Sequence, residues 1–363
     1  MVDQNVTLRK VACELEATYN TDAVNALITA NTAPLILHDY RSVSITPVTT
    51  PVEIRRVRAH VSGVPSKTKQ QNLAVNIEAA LSGAVNLGVS AGEHSYLRSL
   101  LLASGFAETT VSGTSWTLKP TAGRNRAGKS ASIWDFAQNE DNSLWRLIYA
   151  TGCRFNPVFN FADADEAFVA FTGLSANFPN SADATGSKVW SNELQYFNAT
   201  TGALSLNKAG TSFTHTPGNT YANKASFLTQ SMTVLYDGVA VPVQSQTLDM
   251  GWQPSVKDVR NGASSVTAVY LQKARRAGGN LRIAETGTQW RKMIEAWLNA
   301  TELSLVTTVT NGTQKFTFTI PKFQVVQPTS SPNGDTNAWD IGYAANANSN
   351  AGDDDVVIAL TAA

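Results

Sequence analysis

The chain has 363 residues, of which 43% are hydrophobic and only 15% charged, with 28 basic side chains balanced by 28 acidic ones. Ordinary domains carry roughly 25% charge, and a protein that wraps nucleic acid by neutralising phosphates shows a basic excess, so that class is excluded. Two cysteines rule out a disulfide scaffold, and no run of about 18 apolar residues is present to span a bilayer.

Residues 1–20 hold Asp3, Arg9, Lys10, Glu14 and Glu16. They therefore lack the apolar segment of a secretion signal, and the expected place of assembly is a cytoplasm. Cys13 and Cys153 read as buried free thiols, with a disulfide as the alternative. Ser, Thr, Asn and Ala are abundant, and Thr and Val suit half-buried pleated surface while Asn, Gly and Ser suit turns. Two domains are the default for this length.

Residues 1–30 read as a polar arm that lies over a neighbouring subunit or stays loose, with a short helix in "TYNTDAVNALITANT". From 35, "APLILHDYRSVSITPV" and "TPVEIRRVRAHVSG" alternate as strands, the second with a bulge or bend. "SGVPSKTKQQ" reads as a polar loop around Gly63 and Pro65, and "NLAVNIEAALSG" as a strand through Leu73, Val75, Ile77 and Ala79. "AGEHSYLRSLLLASGF" has the i, i+3, i+4 apolar spacing of a helix, closed by Gly105. Strand-like segments follow in "TSWTLKPT", "KSASIWDF", "SLWRLIYATG" and "EAFVAFTGLSANF".

Residues 180–225 carry few large apolar side chains and read as a long connection with one hairpin at a domain boundary. The strand pattern resumes at 227. After the polar loop "QPSVKDVRNG", "TGTQWRKMIEAWLNATELSL" reads as a second helix burying Trp290, Ile294, Trp297 and Leu298. Three more strands close the chain. Both halves run strand, polar loop, long strand, helix, strands, which suggests an internal duplication by pattern rather than by residues.

Gly123 to Ser130 spell G-x-x-x-x-G-K-S, the phosphate-binding loop in which Lys129 would reach phosphate and Ser130 magnesium. The chemistry needs a buried strand before the loop and a helix after it. "SWTLKPTA" is half polar and broken by Pro120, and Ile133, Trp134 and Phe136 after it look like a strand. A basic loop between strands is the better reading, with no cofactor and no catalysis. His38, His60, His94 and His215 have no metal-ligand spacing, and the acidic runs 163–166 and 353–355 read as solvated turns, with cation binding as the alternative. Arg55, Arg56 and Arg58, and Arg275 and Arg276 after Lys273, fall at similar places in the two halves and read as ion-pair contacts to a neighbouring subunit, ahead of nucleic-acid contact.

The order of segments resembles the tail tube (major tail) proteins of long-tailed bacteriophages. The resemblance rests on "ELEATYNTDA", "NLAVNIEAALSG", "EHSYLRSLLLASGFAET", "SGTSWTLKPTAG", "SASIWDF", "GCRFNPVFNFADADEAFVAFTGLSANF" and "LDMGWQPSVKDVRNG". It implies a mainly β fold of two tandem β-sandwich or barrel-like units, each with one flanking helix: 31–179 and 227–363, joined by 180–226. It implies homotrimeric rings of pseudo-six-fold symmetry, or hexamers, stacked into a virion tail tube that passes DNA without specific binding. A tape measure protein and tail terminator and tip proteins would be its partners, and no membrane is involved. Gly63, Pro65, Lys67 and Lys69, and Pro254, Lys257, Asp258 and Arg260, would contact the next ring. A different class is a virion β-sandwich module that recognises a host receptor or glycan through loop aromatics such as Trp134, Trp145, Trp190 and Trp252.

Overall fold

The computed structural model describes residues 10–29, 36–37, 40–53, 66–84, 96–121, 129–138, 144–162, 165–176, 190–195, 197–198, 203–208, 211–215, 227–257, 268–271, 275–333, 336–349 and 353–363. The fold is mainly β, and among the described residues every strand pairing is antiparallel. In chain order the first strands are β1 (Lys10–Leu15), β2 (Ile36–Leu37), β3 (Tyr40–Glu53), β4 (Ser66–Ala80), β5 (Phe106–Val111), β6 (Ser115–Pro120), β7 (Ala131–Gln138), β8 (Leu144–Phe161) and β9 (Phe168–Leu174). Helix α1 (Ala23–Thr29) follows β1, and α2 (Arg98–Ala103) follows β4. Strand β10 (Trp190–Gln195) adds to β8, while β11 (Phe197–Asn198), β12 (Ala203–Lys208) and β13 (Thr211–His215) form a small sheet of their own. The expected connection is thus built of strands, with a hairpin at β12–β13.

The chain continues with β14 (Thr233–Tyr236), β15 (Val239–Val241), β16 (Val243–Asp249), β17 (Pro254–Lys257), β18 (Ala268–Leu271), β19 (Gly278–Ala284), helix α3 (Gln289–Leu298), β20 (Leu303–Thr310), β21 (Gln314–Asn333), β22 (Thr336–Asn346) and β23 (Val357–Ala362). Both halves contain a long hairpin. In the first, β3 pairs with β4 from Tyr40↔Ala79 to Glu53↔Ser66. In the second, β16 with β19 and then β17 with β18 continue one antiparallel course, interrupted between Asp249 and Pro254.

One ladder row occurs twice. Val43, Ile77, Phe171 and Pro157 lie side by side across β3, β4, β9 and β8. Gln246, Leu281, Ile341 and Pro328 lie side by side across β16, β19, β22 and β21. The two four-strand sets meet where β16 pairs with β8, Gln246↔Phe161 to Asp249↔Val158, so eight strands run without a break in the order β3, β4, β9, β8, β16, β19, β22, β21. The closing strand β23 is a second tie, because Ile358 faces both Leu118 of β6 and Phe318 of β21.

Alternation along these strands sends Val75, Ile77, Phe155, Phe159, Leu281, Ile283, Phe316 and Phe318 into a single buried cluster that spans both sets. Edge-to-face rings tie it together: Phe318 lies 5.0 Å from Phe159 and 5.2 Å from Phe161, and Phe227 lies 5.0 Å from Phe316. Burying each such ring stabilises by about 1.5–3 kcal/mol, before the directional contribution of ring pairs. Two independent cores, the expectation from length, are replaced by one shared core.

The polar arm expected over 1–30 is not an arm over Lys10–Thr29. β1 completes the sheet against β7, from Lys10↔Phe136 to Leu15↔Ala131, with Val11, Ala12 and Cys13 fully buried. The segment reads as polar because Lys10, Glu14 and Glu16 flank these three buried residues. Cys13 and Cys153 are buried free thiols, as expected, and burial pushes both thiols up, with nearby carboxylates such as Glu16 adding to it. Helix α2 ends as expected on Gly105 at φ +81. Helix α3 is rotated in part from its expected orientation: Trp290 packs against the core as expected and Met293 and Ala296 are buried, whereas Trp297 and Leu298 face solvent.

Phe318→Ala should destabilise the chain by about 3–5 kcal/mol, because the hole lies where both sets meet. Tryptophan fluorescence and far-UV circular dichroism should then lose structure at one urea midpoint, and separate transitions would contradict a shared core. A second expectation concerns acid. Burial pushes the Glu108 carboxyl up, but hydrogen bonds and charge from Arg98, with Trp116 Nε1 donating as well, outweigh it and hold the group below its usual value. Such a carboxylate stabilises above its unfolded value, about 4.3, and loses that contribution as pH falls through its lower folded value. Glu108→Gln should flatten the loss of stability below about pH 4.3, read from urea midpoints at successive pH values.

Candidate functional site

The phosphate-loop match is resolved by what surrounds its last two residues. Gly123 and Gly128 lie outside the described residues. The helix that the motif needs after Ser130 is replaced by strand β7. Ser130, whose hydroxyl would face magnesium, is buried and donates to Glu16 Oε2. Lys129 is exposed, and its carbonyl accepts from Arg154 Nε at 3.1 Å.

Glu16 is the centre of a buried node. At 5% exposure its carboxylate accepts from Asn20 N at 2.7 Å and Ser130 Oγ on one oxygen, and from Ser132 Oγ at 2.8 Å and Gly152 N at 2.7 Å on the other. A buried carboxylate is tolerable only when its lone pairs are met in this way. The node fastens the end of β1 to β7 and β8. Its serines are spent on fold, not on a ligand.

Arg154 is another buried charge, 2% exposed between Cys153 and Phe155 on β8. Besides Lys129 it donates from Nη1 to the Val269 carbonyl of β18, and its guanidinium lies 4.7 Å over the Tyr19 ring. Val269 N donates to Tyr19 Oη at 2.6 Å. The second hairpin is thereby docked on the first strand set. A few residues along β8, Asn156 fixes the β16–β8 joint: its Nδ2 donates to Asp249 at 2.8 Å and its Oδ1 accepts from Trp252 N at 2.7 Å. Met250 N donates to the Pro157 carbonyl at 3.2 Å. Buried Gln246 of β16 accepts from Thr307 Oγ1 at 2.7 Å.

The expected subunit contacts fare unequally. Arg55, Arg56 and Arg58 lie outside the described residues. Arg275 is not a surface contact: its side chain is 4% exposed, ion-paired with Asp355 and 4.8 Å over the Trp252 ring. A guanidinium left unpaired at such depth would cost several kcal/mol, so the buried carboxylate is its obligatory partner. Asp355 is for the same reason not in a solvated turn. Arg276 is exposed. Asp165 of the other acidic run pairs with Arg41 at 2.9 Å. Among the described residues no group of acidic, His or Cys side chains could hold a metal ion.

Of the expected ring-stacking residues, Gly63, Pro65, Asp258 and Arg260 lie outside the described residues. Lys67 and Lys69 belong to strand β4, and Pro254 and Lys257 to β17, so both loops are shorter than expected and their shoulders are strand. The pleat extends because partners across each hairpin supply ladder hydrogen bonds that local composition does not reveal. Three of the four tryptophans are on strands, and Trp252 lies on the connection between β16 and β17. Trp134 (β7) and Trp252 are buried, and Trp145 and Trp190 sit on β8 and β10.

Geometry brings a different set together. The β16–β8 joint pairs one edge of each four-strand set. In the repeated row, β3 corresponds to β16 and β21 to β8. Among the described residues β3 is laddered only with β4, and beyond Phe323 β21 is laddered only with β22. The joint inside the chain therefore has its two matching edges at the opposite ends of the eight-strand run. A scan against protein-family models and a search of curated proteins found no match to the chain.

Glu16→Gln should lower stability by about 2 kcal/mol, because one amide nitrogen would face donors in place of an acceptor. Lys129→Ala, on the exposed neighbour of Ser130, should change it by no more than about 0.5 kcal/mol. Urea unfolding of both variants checks the contrast, and equal losses would mean that the Glu16 node is not what holds β1.

Proposed function

We propose that this protein is a virion structural subunit that assembles head to tail into rings, and that the rings stack as the tail tube through which a long-tailed phage delivers DNA. The observation that carries the reading is the β16–β8 joint together with its two matching edges. A contact between different edges of equivalent units is heterologous, and heterologous contacts close into rings or run on as filaments. Two tandem units per chain, each of four laddered strands and a helix, already make one such contact internally. Joining β3 of one copy to β21 of the next would repeat it, bury both edges and remove an aggregation liability.

The register follows from the repeated row. Leu248 and Asp249 face Phe159 and Val158 across the internal joint, so Ile45 and Thr46 of one copy face Ser330 and Thr329 of the next. Pro47 and Pro328 then lie side by side, and prolines at these positions limit how far a foreign strand can add to either edge. With two units per chain, three copies give a pseudo-six-fold ring, and six copies are the alternative. The tail-tube assignment itself rests on the segment order described above. A non-catalytic role accords with Ser130 being held by Glu16. The receptor- or glycan-binding alternative drew on tryptophans of which Trp134 and Trp252 are buried.

Thr46 and Thr329 are both exposed. The Thr46→Cys/Thr329→Cys double variant, oxidised under mild conditions, should form disulfides between copies and give a ladder that ends at the ring number, while each single variant should not. Negative-stain images of the wild-type chain should show rings or tubes. A chain that stays monomeric and uncrosslinked at high concentration would overturn the proposal.

A further inference from the structure

The two helices occupy matching places, each after its long hairpin, yet they are covered differently. Helix α2 is buried over Ser99–Ala103. Its end at Gly105 lies under the second hairpin: a Cβ there would sit 3.0 Å from Leu271 and 3.1 Å from Trp252. Helix α3 buries Met293 and Ala296 but leaves Trp297 42% and Leu298 70% exposed. Beside them Val326 of β21 is 47% exposed, and Trp297 Nε1 donates to its carbonyl at 3.1 Å. Trp297 and Val326 thus meet on one solvent-facing surface, and exposed Leu298 follows at the end of the helix.

The patch adjoins the edge assigned to ring closure. Pairing of β21 with β20 ends at Leu303↔Phe323, and Val326 lies three residues on, at the register shift between Val325 and Gln327. Gln327, exposed, stands in the repeated row where β8 has Asn156, the residue whose amide holds Asp249 and Trp252 N at the internal joint.

We infer that the Trp297–Leu298–Val326 patch is the seat for the β3–β4 hairpin of a second copy, as α2 is the seat for the second hairpin within the chain. This rests on the head-to-tail reading above. The occupant is read by counting along the chain: Trp252 lies three residues past Asp249, beyond the end of β16, and the same count from Thr46 in β3 reaches Thr49, next to Val48, which is 36% exposed. Covering the patch removes the apolar surface that the internal equivalent has already lost to Trp252 and Leu271. The helix is then a wedge that fixes the angle between neighbouring copies, while the β3–β21 ladder fixes their register.

The test is made on the full chain. Leu298→Asp changes a side chain that is largely in solvent, so its urea midpoint should match wild type, while the concentration needed for assembly should rise by about tenfold or more in sedimentation velocity. In a Val48→Cys/Leu298→Cys double variant, a short bismaleimide should link different copies, since Cys13 and Cys153 are buried. If the wild type assembles and crosslinks through positions 46 and 329, but Leu298→Asp assembles at the same concentration or positions 48 and 298 do not link, the docking inference is overturned and ring closure stands. If the wild type neither assembles nor crosslinks through 46 and 329, ring closure fails first and the seat fails with it.

Discussion

The joint between β16 and β8 is the constraint on which the rest of the molecule depends. Four ladder positions, Gln246 to Asp249 against Phe161 to Val158, turn two four-strand sets into one eight-strand run. Around it several of the polar groups that the joint buries are met. Asn156 serves Asp249 and the Trp252 amide, Pro157 gives its carbonyl to Met250, and Gln246 is met by Thr307. Were one of these left unmet, the penalty of about 1–3 kcal/mol would fall on the one place where both sets must agree.

Packing follows from that joint. Once β16 lies on β8, Phe159 and Phe161 point at Phe318, and the two apolar faces share one core. β23 closes the same seam from the far side, and the buried charges close it at its margins. Arg154 reaches across to Val269, and Arg275 turns inward onto Asp355 and Trp252. These charges serve adhesion within the chain, because water is excluded where they lie and each has found a partner there.

The same geometry explains why the surfaces that remain are directional. A joint between unlike edges leaves one of each kind over, and an amphipathic helix covered in one set but not the other leaves an apolar patch next to one of them.

Much of this was legible in the residues themselves. Alternation along "NLAVNIEAAL" and "EAFVAFTGL" marked β4 and β9, the glycine at 105 marked the end of α2, and the broken context of Gly123–Ser130 told against a phosphate site. These are local signals: side-chain period, turn chemistry and near neighbours settle them. What tertiary structure alone decided lies between distant residues. Glu16 and Ser130, Arg275 and Asp355, and Asn156 and Trp252 are far apart in the chain, and nothing in local composition says that they meet. The turned face of α3 belongs here too, because the apolar stripe through Trp290, Ile294, Trp297 and Leu298 predicted burial without saying by what. A period shows that a face must be covered. Only the fold shows that Met293 and Ala296 turned inward beside Trp290, which left Trp297 and Leu298 in solvent.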